Sequence, residues 1–170
     1  MYPGKYAAET PEKPAAVNAV TGEVLTYRRL NEDSIRLARY LRSVGLKRGD
    51  ALAINLENRL EFFVATWAAL RSGLYLVTVN QFLPSHDVAY IVADCGAKAL
   101  ITSERLSKVA DELLPLIEQC PHRLIIGGEL AGWDSYEAAL EGQSIEPLDD
   151  ERQGEHMPYS SGTTGKPKGI

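Results

Sequence analysis

Between residues 51 and 126 short apolar runs alternate with longer stretches of helical periodicity, and few architectures accept that rhythm. The runs ALAINL (51–56), LYLVTV (74–79), KALIT (98–102) and RLII (123–126) are too short for helices and apolar enough to be buried as strands. Each intervening stretch repeats its apolar residues at helical spacing. EFFVATWAALRS follows Asn58, an expected N-cap, and stops at Gly73. A helix opens at Pro84-Ser85 and stops at Gly96. SERLSKVADELLPLIEQC is helical in pattern, but Pro115 removes an amide donor and must kink or split it. Strands alternating with helices in this way imply an α/β fold, a mainly parallel sheet flanked by helices.

The flanks extend this frame. AAVNAVTGEVLTY (15–27) reads as an N-terminal β-hairpin turning at Thr21-Gly22. A helix should follow, with Leu30, Leu37, Ala38, Leu41 and Val44 on one face, Thr26 as its cap and Gly45 as its stop. Segment 128–155 is polar and acidic and reads as a surface excursion with one short helix near WDSYEAAL. HMPYS (156–160) returns as a last strand.

Charge narrows the function classes. Eighteen Lys and Arg against 23 Asp and Glu give a net charge of −5, which disfavours general nucleic-acid binding. Nine acids and one base, Arg152, fall between Glu129 and Glu155, a local −8 that leaves about +3 for the rest. MYPGKYAAETPEKP has no apolar signal-peptide core, and no run approaches the ~20 apolar residues of a membrane span. A cytoplasmic protein is expected. Cys95 and Cys120 sit in no CxxC pattern and read as inert thiols. His86, His122 and His156 are scattered without metal spacing, Trp67 falls on an apolar helix face, and Asp149-Asp150-Glu151 reads as a solvated acidic loop.

The stretch YSSGTTGKPKG (159–169) is different in kind. It gathers three Gly, four Ser and Thr hydroxyls and two Lys, and no acid follows Glu155. Glycines let successive amide N–H groups converge on one anion, hydroxyls add neutral donors, and Lys adds countercharge. Tyr159 is placed to pack beneath the loop. A Walker A loop does not fit: Ser160 stands where its first Gly belongs, and Pro167 where its Mg²⁺-binding hydroxyl belongs. No GxGxxG follows a strand, so a Rossmann fingerprint is absent too.

Residue for residue, YSSGTTGKPKG resembles the signature loop of the adenylate-forming superfamily, which holds acyl-CoA synthetases, peptide-synthetase adenylation domains and firefly luciferase. LTYRRL (25–30), GLKRGDALAINLEN (45–58), ATWAALRSGLYLVTVN (65–80) and AYIVADCGAKALI (89–101) resemble ordered N-terminal segments of the same superfamily. The likeness covers roughly residues 15–170. It implies that ATP, with Mg²⁺, activates a carboxylic acid as an acyl-adenylate, after which a thiol such as that of coenzyme A displaces AMP. By match to the motif, Ser160, Ser161, Gly162, Thr163, Thr164, Gly165, Lys166 and Lys168 would hold the ATP phosphates. No catalytic residue and no metal ligand is assigned within the chain.

Segment 73–80 lacks the Gly-Ala-Tyr-x-Pro pattern usual in peptide synthetases, so the resemblance leans towards an acyl-CoA synthetase of fatty or other carboxylic acids. The alternatives are an amino-acid adenylation domain and a non-catalytic binding or dimerisation module. Residues 1–170 are expected to be the N-terminal portion of an AMP-binding domain, incomplete and without its C-terminal domain. Alone they should be inactive, and apolar surface left uncovered should favour self-association.

Overall fold

The computed structural model describes residues 2–160 and 168–169. A short helix, α1 (Pro3–Glu9), precedes a hairpin of β1 (Pro14–Val17) and β2 (Val24–Thr26). Then come α2 (Tyr27–Ser43), β3 (Ala51–Asn55), α3 (Glu61–Arg71), β4 (Tyr75–Val79), α4 (Ser85–Asp94) and β5 (Ala97–Ser103). Next are α5 (Ser107–Leu113), β6 (His122–Ile126), β7 (Asp134–Ser135) and α6 (Tyr136–Leu140). Three two-residue strands complete the order: β8 (Glu155–His156), β9 (Tyr159–Ser160) and β10 (Lys168–Gly169).

Six of these strands form one sheet in the order β7-β6-β5-β3-β4-β8, every pair parallel. The mainly parallel sheet flanked by helices is therefore present. All of β3 is buried, as a central parallel strand must be. Alternation sends Leu52 and Ile54 into a core under α2, α3 and α6, while Ala51 and Ala53 face a second core under α4 and α5. Leu37, Leu41 and Val64 fill the first core, and Val88, Val92 and Leu113 the second. Each fully buried aliphatic side chain contributes about 1.5–3 kcal/mol.

Local chemistry sets the helix ends. The Thr26 hydroxyl accepts the Arg29 amide hydrogen and starts α2. Gly45 (φ 96°) and Gly73 (φ 71°) take the left-handed conformations that stop α2 and α3. Pro115 splits its segment as expected: α5 stops at Leu113, and Leu114–Leu116 continues only as a 3-10 turn.

Three expectations need correction, and one helix was not expected. Asn58 does not cap α3, which begins after Leu60 with no side-chain cap. Helix α1 has no obvious pattern in the sequence; the stacking of Tyr6 on Tyr27 (centroids 5.0 Å apart) ties it to α2. Segment 128–155 is more than a surface excursion. It adds β7 to one sheet edge, buries Trp133 and Tyr136 in opposite cores, and crosses to β8 at the other edge. Its acidic stretch is not simply solvated either. Arg42 holds Asp150 at 2.9 Å, and the fully buried guanidinium of Arg71 lies 3.3 Å from Glu151.

Candidate functional site

The chain reaches the Gly-rich stretch along the β4 edge of the sheet. The Glu155 amide donates to the Leu74 carbonyl (3.1 Å) and the Met157 amide to the Leu76 carbonyl (2.9 Å). Pro158, which has no N–H, interrupts this ladder. Beyond it, β9 pairs with β10 in an antiparallel hairpin, setting Ser160 opposite Lys168 and Tyr159 opposite Gly169. Of the residues assigned by motif, the structure thus brings Ser160 and Lys168 together, both exposed at the neck of the loop. Ser161, Gly162, Thr163, Thr164, Gly165 and Lys166 lie outside the described residues.

The ring of Tyr159 lies against Gly169, where a Cβ would sit 3.3 Å from it, so it packs at the base of the loop. Its hydroxyl donates to Asp94 Oδ2 at 2.6 Å, at the last residue of α4. Burial, together with that hydrogen bond to a carboxylate, pushes the phenol well above its ordinary pKa. Tyr159 therefore stays a neutral donor. Tyr75, Met157 and Cys95 line the same groove. Nothing in the sequence marks Asp94 as a partner of Tyr159, because a contact across 65 positions leaves no spacing signature.

Parallel sheets of this kind bind ligands where the strand order reverses. Here the reversal falls between β3 and β5, and polar side chains tie the end of β3 to both of its neighbours, β4 and β5. Asn55 Nδ2 donates to the Val79 and Asn80 carbonyls (3.3 and 3.2 Å), and the Thr102 hydroxyl donates to the Asn55 carbonyl (3.1 Å). The Ser103 hydroxyl donates to Glu57 at 2.5 Å. Arg59 lies between Glu57 and Glu61, at 3.3 and 2.8 Å. These bonds hold the strand ends in register.

Among the described residues no three or more His, Cys, Asp or Glu side chains cluster as a metal site, and no helix is long and apolar enough to cross a membrane. Cys95 and Cys120 are free, and burial pushes the Cys120 thiol up to about 12.

Comparison with known proteins places this architecture. The family model described as AMP-binding enzyme matches residues 5–170. The chain belongs to the AMP-binding enzyme family. Surfactin synthase subunit 1 of Bacillus subtilis (strain 168) is 34% identical over 96% of the chain. 4-Coumarate–CoA ligase 1 of Oryza sativa subsp. japonica is 33% identical over 95% of it. Bacitracin synthase 2 of Bacillus licheniformis is 32% identical over 96%. The anthranilate CoA ligase AuaEII, solved in complex with anthranoyl-AMP, superposes with a TM-score of 0.84 over 99% of the chain at 22% identity, a likeness of fold. The chain spans 4% of the surfactin synthase, 6% of the bacitracin synthase, 30% of the rice ligase and 33% of AuaEII. Family membership makes it part of the adenylate-forming group. The relatives divide between peptide synthetases and a CoA ligase, so they do not share the lean towards CoA ligation.

Proposed function

We propose that the 160–169 loop binds the β- and γ-phosphates of ATP in an enzyme that activates a carboxylic acid as its acyl-adenylate. The observation that carries this reading is the hairpin that sets Ser160 opposite Lys168 at the neck of a Gly-rich loop, in a chain of the AMP-binding family. Pyrophosphate leaves in the first half-reaction, and donors fixed in advance around its oxygens stabilise that departure. Ser160 and Ser161, with the backbone N–H groups of Gly162 and Gly165, donate hydrogen bonds. Thr163 and Thr164 offer both hydroxyl and amide, and Lys166 and Lys168 balance the charge. On this reading Mg²⁺ arrives with the ATP phosphates, which bind it together with water.

For the second half-reaction we propose acid–CoA ligation, with the AMP-binding domain extending beyond these residues to supply adenine, ribose and acyl contacts. Segment Gly73–Val77 supports it, since Leu74 and Val77 stand where the peptide-synthetase pattern places Ala and Pro. Amino-acid activation is the second reading, favoured by the synthase relatives. The test is exchange of labelled pyrophosphate into ATP by the intact protein, across aliphatic acids, aryl acids and amino acids. Exchange driven by non-amino acids, followed by thioester formation with coenzyme A, supports ligation. Exchange driven only by amino acids assigns the chain to the second reading, and none with any acid contradicts both.

A further inference from the structure

A hairpin of two residue pairs is marginal by itself, so β9 and β10 need something to hold them against the body of the protein. The backbone supplies little. After the hydrogen bond from the Met157 amide to the Leu76 carbonyl, Pro158 ends the ladder, and β9 pairs with β10 instead of β4. A direct side-chain tie is the 2.6 Å hydrogen bond from Tyr159 to Asp94.

Asp94 occupies an odd place for an acid. It is the last residue of α4, where the helix dipole presents partial negative charge and favours a cation, and the last turn of α4 holds no basic residue. The helix therefore gains nothing from a carboxylate there. Tyr159 does gain, because a carboxylate is a strong acceptor for a partly buried phenol. The same ring carries Gly169 on its face, so one side chain contacts both strands of the neck.

We propose that Tyr159 and Asp94 are positioning residues that fix the neck of the loop on α4 and so set the affinity for ATP, without touching the reacting atoms. The inference rests on the reading of the loop as a phosphate site. Free of the tether, the neck keeps its residues but must order them when ATP binds, which weakens binding. The carboxylic acid does not meet this cost.

The experiment measures pyrophosphate exchange by the intact protein, with KM for Mg-ATP and for the acid determined separately. Tyr159→Phe and Asp94→Ala should each raise KM for ATP about 10-fold while changing KM for the acid less than about 2-fold. Asp94→Asn keeps an oxygen that accepts from the phenol and should recover ATP affinity to within about 3-fold of the parent. The double variant Tyr159→Phe/Asp94→Ala should be no worse than either single one, since both remove one interaction. Lys168→Ala separates the two readings. If it lowers exchange while Tyr159→Phe leaves KM for ATP unchanged, the tether is wrong and the phosphate loop stands. If Lys168→Ala has no effect, the loop reading fails and the tether with it. Equal rises in both KM values, or additive losses in the double variant, also overturn the proposal.

Discussion

Replacing Gly154 by Ala should loosen the whole approach to the loop. Gly154 is buried where the chain enters β8, and a Cβ there would lie 2.3 Å from the Leu74 carbonyl oxygen, 2.9 Å from the Leu74 nitrogen and 3.0 Å from the Ala69 carbonyl oxygen. All three are backbone atoms, so no side chain can swing aside, and the β8 segment must move away from β4. Movement breaks the hydrogen bonds that the amides of Gly154, Glu155 and Met157 donate to the carbonyls of Leu70 (2.7 Å), Leu74 (3.1 Å) and Leu76 (2.9 Å). At about 1 kcal/mol each the loss is about 3 kcal/mol, which lowers Tm by roughly 6–12 °C for a chain of this size. Gly142→Ala is the control. That glycine has φ 73° and nothing within 4 Å of an added Cβ, so only the left-handed backbone is penalised, by about 1 kcal/mol. Thermal melts of both variants, with hydrogen exchange at the Glu155 and Met157 amides, check the reasoning. If Gly154→Ala melts no lower than Gly142→Ala, or keeps the parent's protection at those amides, the packing of β8 on β4 does not matter as described.

Arg71→Ala should cost about 3 kcal/mol in urea unfolding, because it leaves Glu151 without its buried partner and removes the 2.8 Å bond to Asn31. The Arg71–Glu151 approach is an ion pair without hydrogen-bond geometry, so Arg71→Met, which keeps the packing, should be milder only if desolvation of the guanidinium offsets its attraction. Burial alone would raise the Glu61 pKa, but the Arg59 hydrogen bond and charge hold it below its ordinary value. A depressed folded-state pKa contributes stability above the unfolded value of 4.5 that is lost as pH falls through the folded one, so Glu61→Gln should flatten the acid limb of a stability–pH curve. Iodoacetamide at pH 8 should label Cys95 before Cys120, whose thiol is fully buried and pushed up to about 12; mass spectrometry reads the order, and equal rates would place Cys120 wrongly.

The parallel core was legible because its strands are buried on both faces, and burial on both faces writes itself into the sequence as runs such as ALAINL and LYLVTV. Thr26 and Gly45 were legible because caps and stops depend on one residue's own chemistry. Helix α1 and strand β7 were not, since each is held by contacts far along the chain, Tyr6 on Tyr27 and Asp134 beside Leu124. Asn58 misled for the opposite reason. A residue that caps well in general did not cap here, because the bend at 58–60 and the Arg59 ion pairs place the helix start after Leu60. At the site, the motif named the loop, but its attachment through Asp94 is a tertiary fact with no local pattern.

The central claim is that the 160–169 loop grips the phosphates of ATP as pyrophosphate leaves. Carboxylate-dependent pyrophosphate exchange by the intact protein, compared between the parent and the Lys168→Ala and Thr164→Ala variants, tests it most directly. Loss of one preorganised donor should slow exchange on the order of 100-fold, with attack of the thiol on a supplied acyl-adenylate affected far less. Exchange at the parental rate in both variants would contradict the claim.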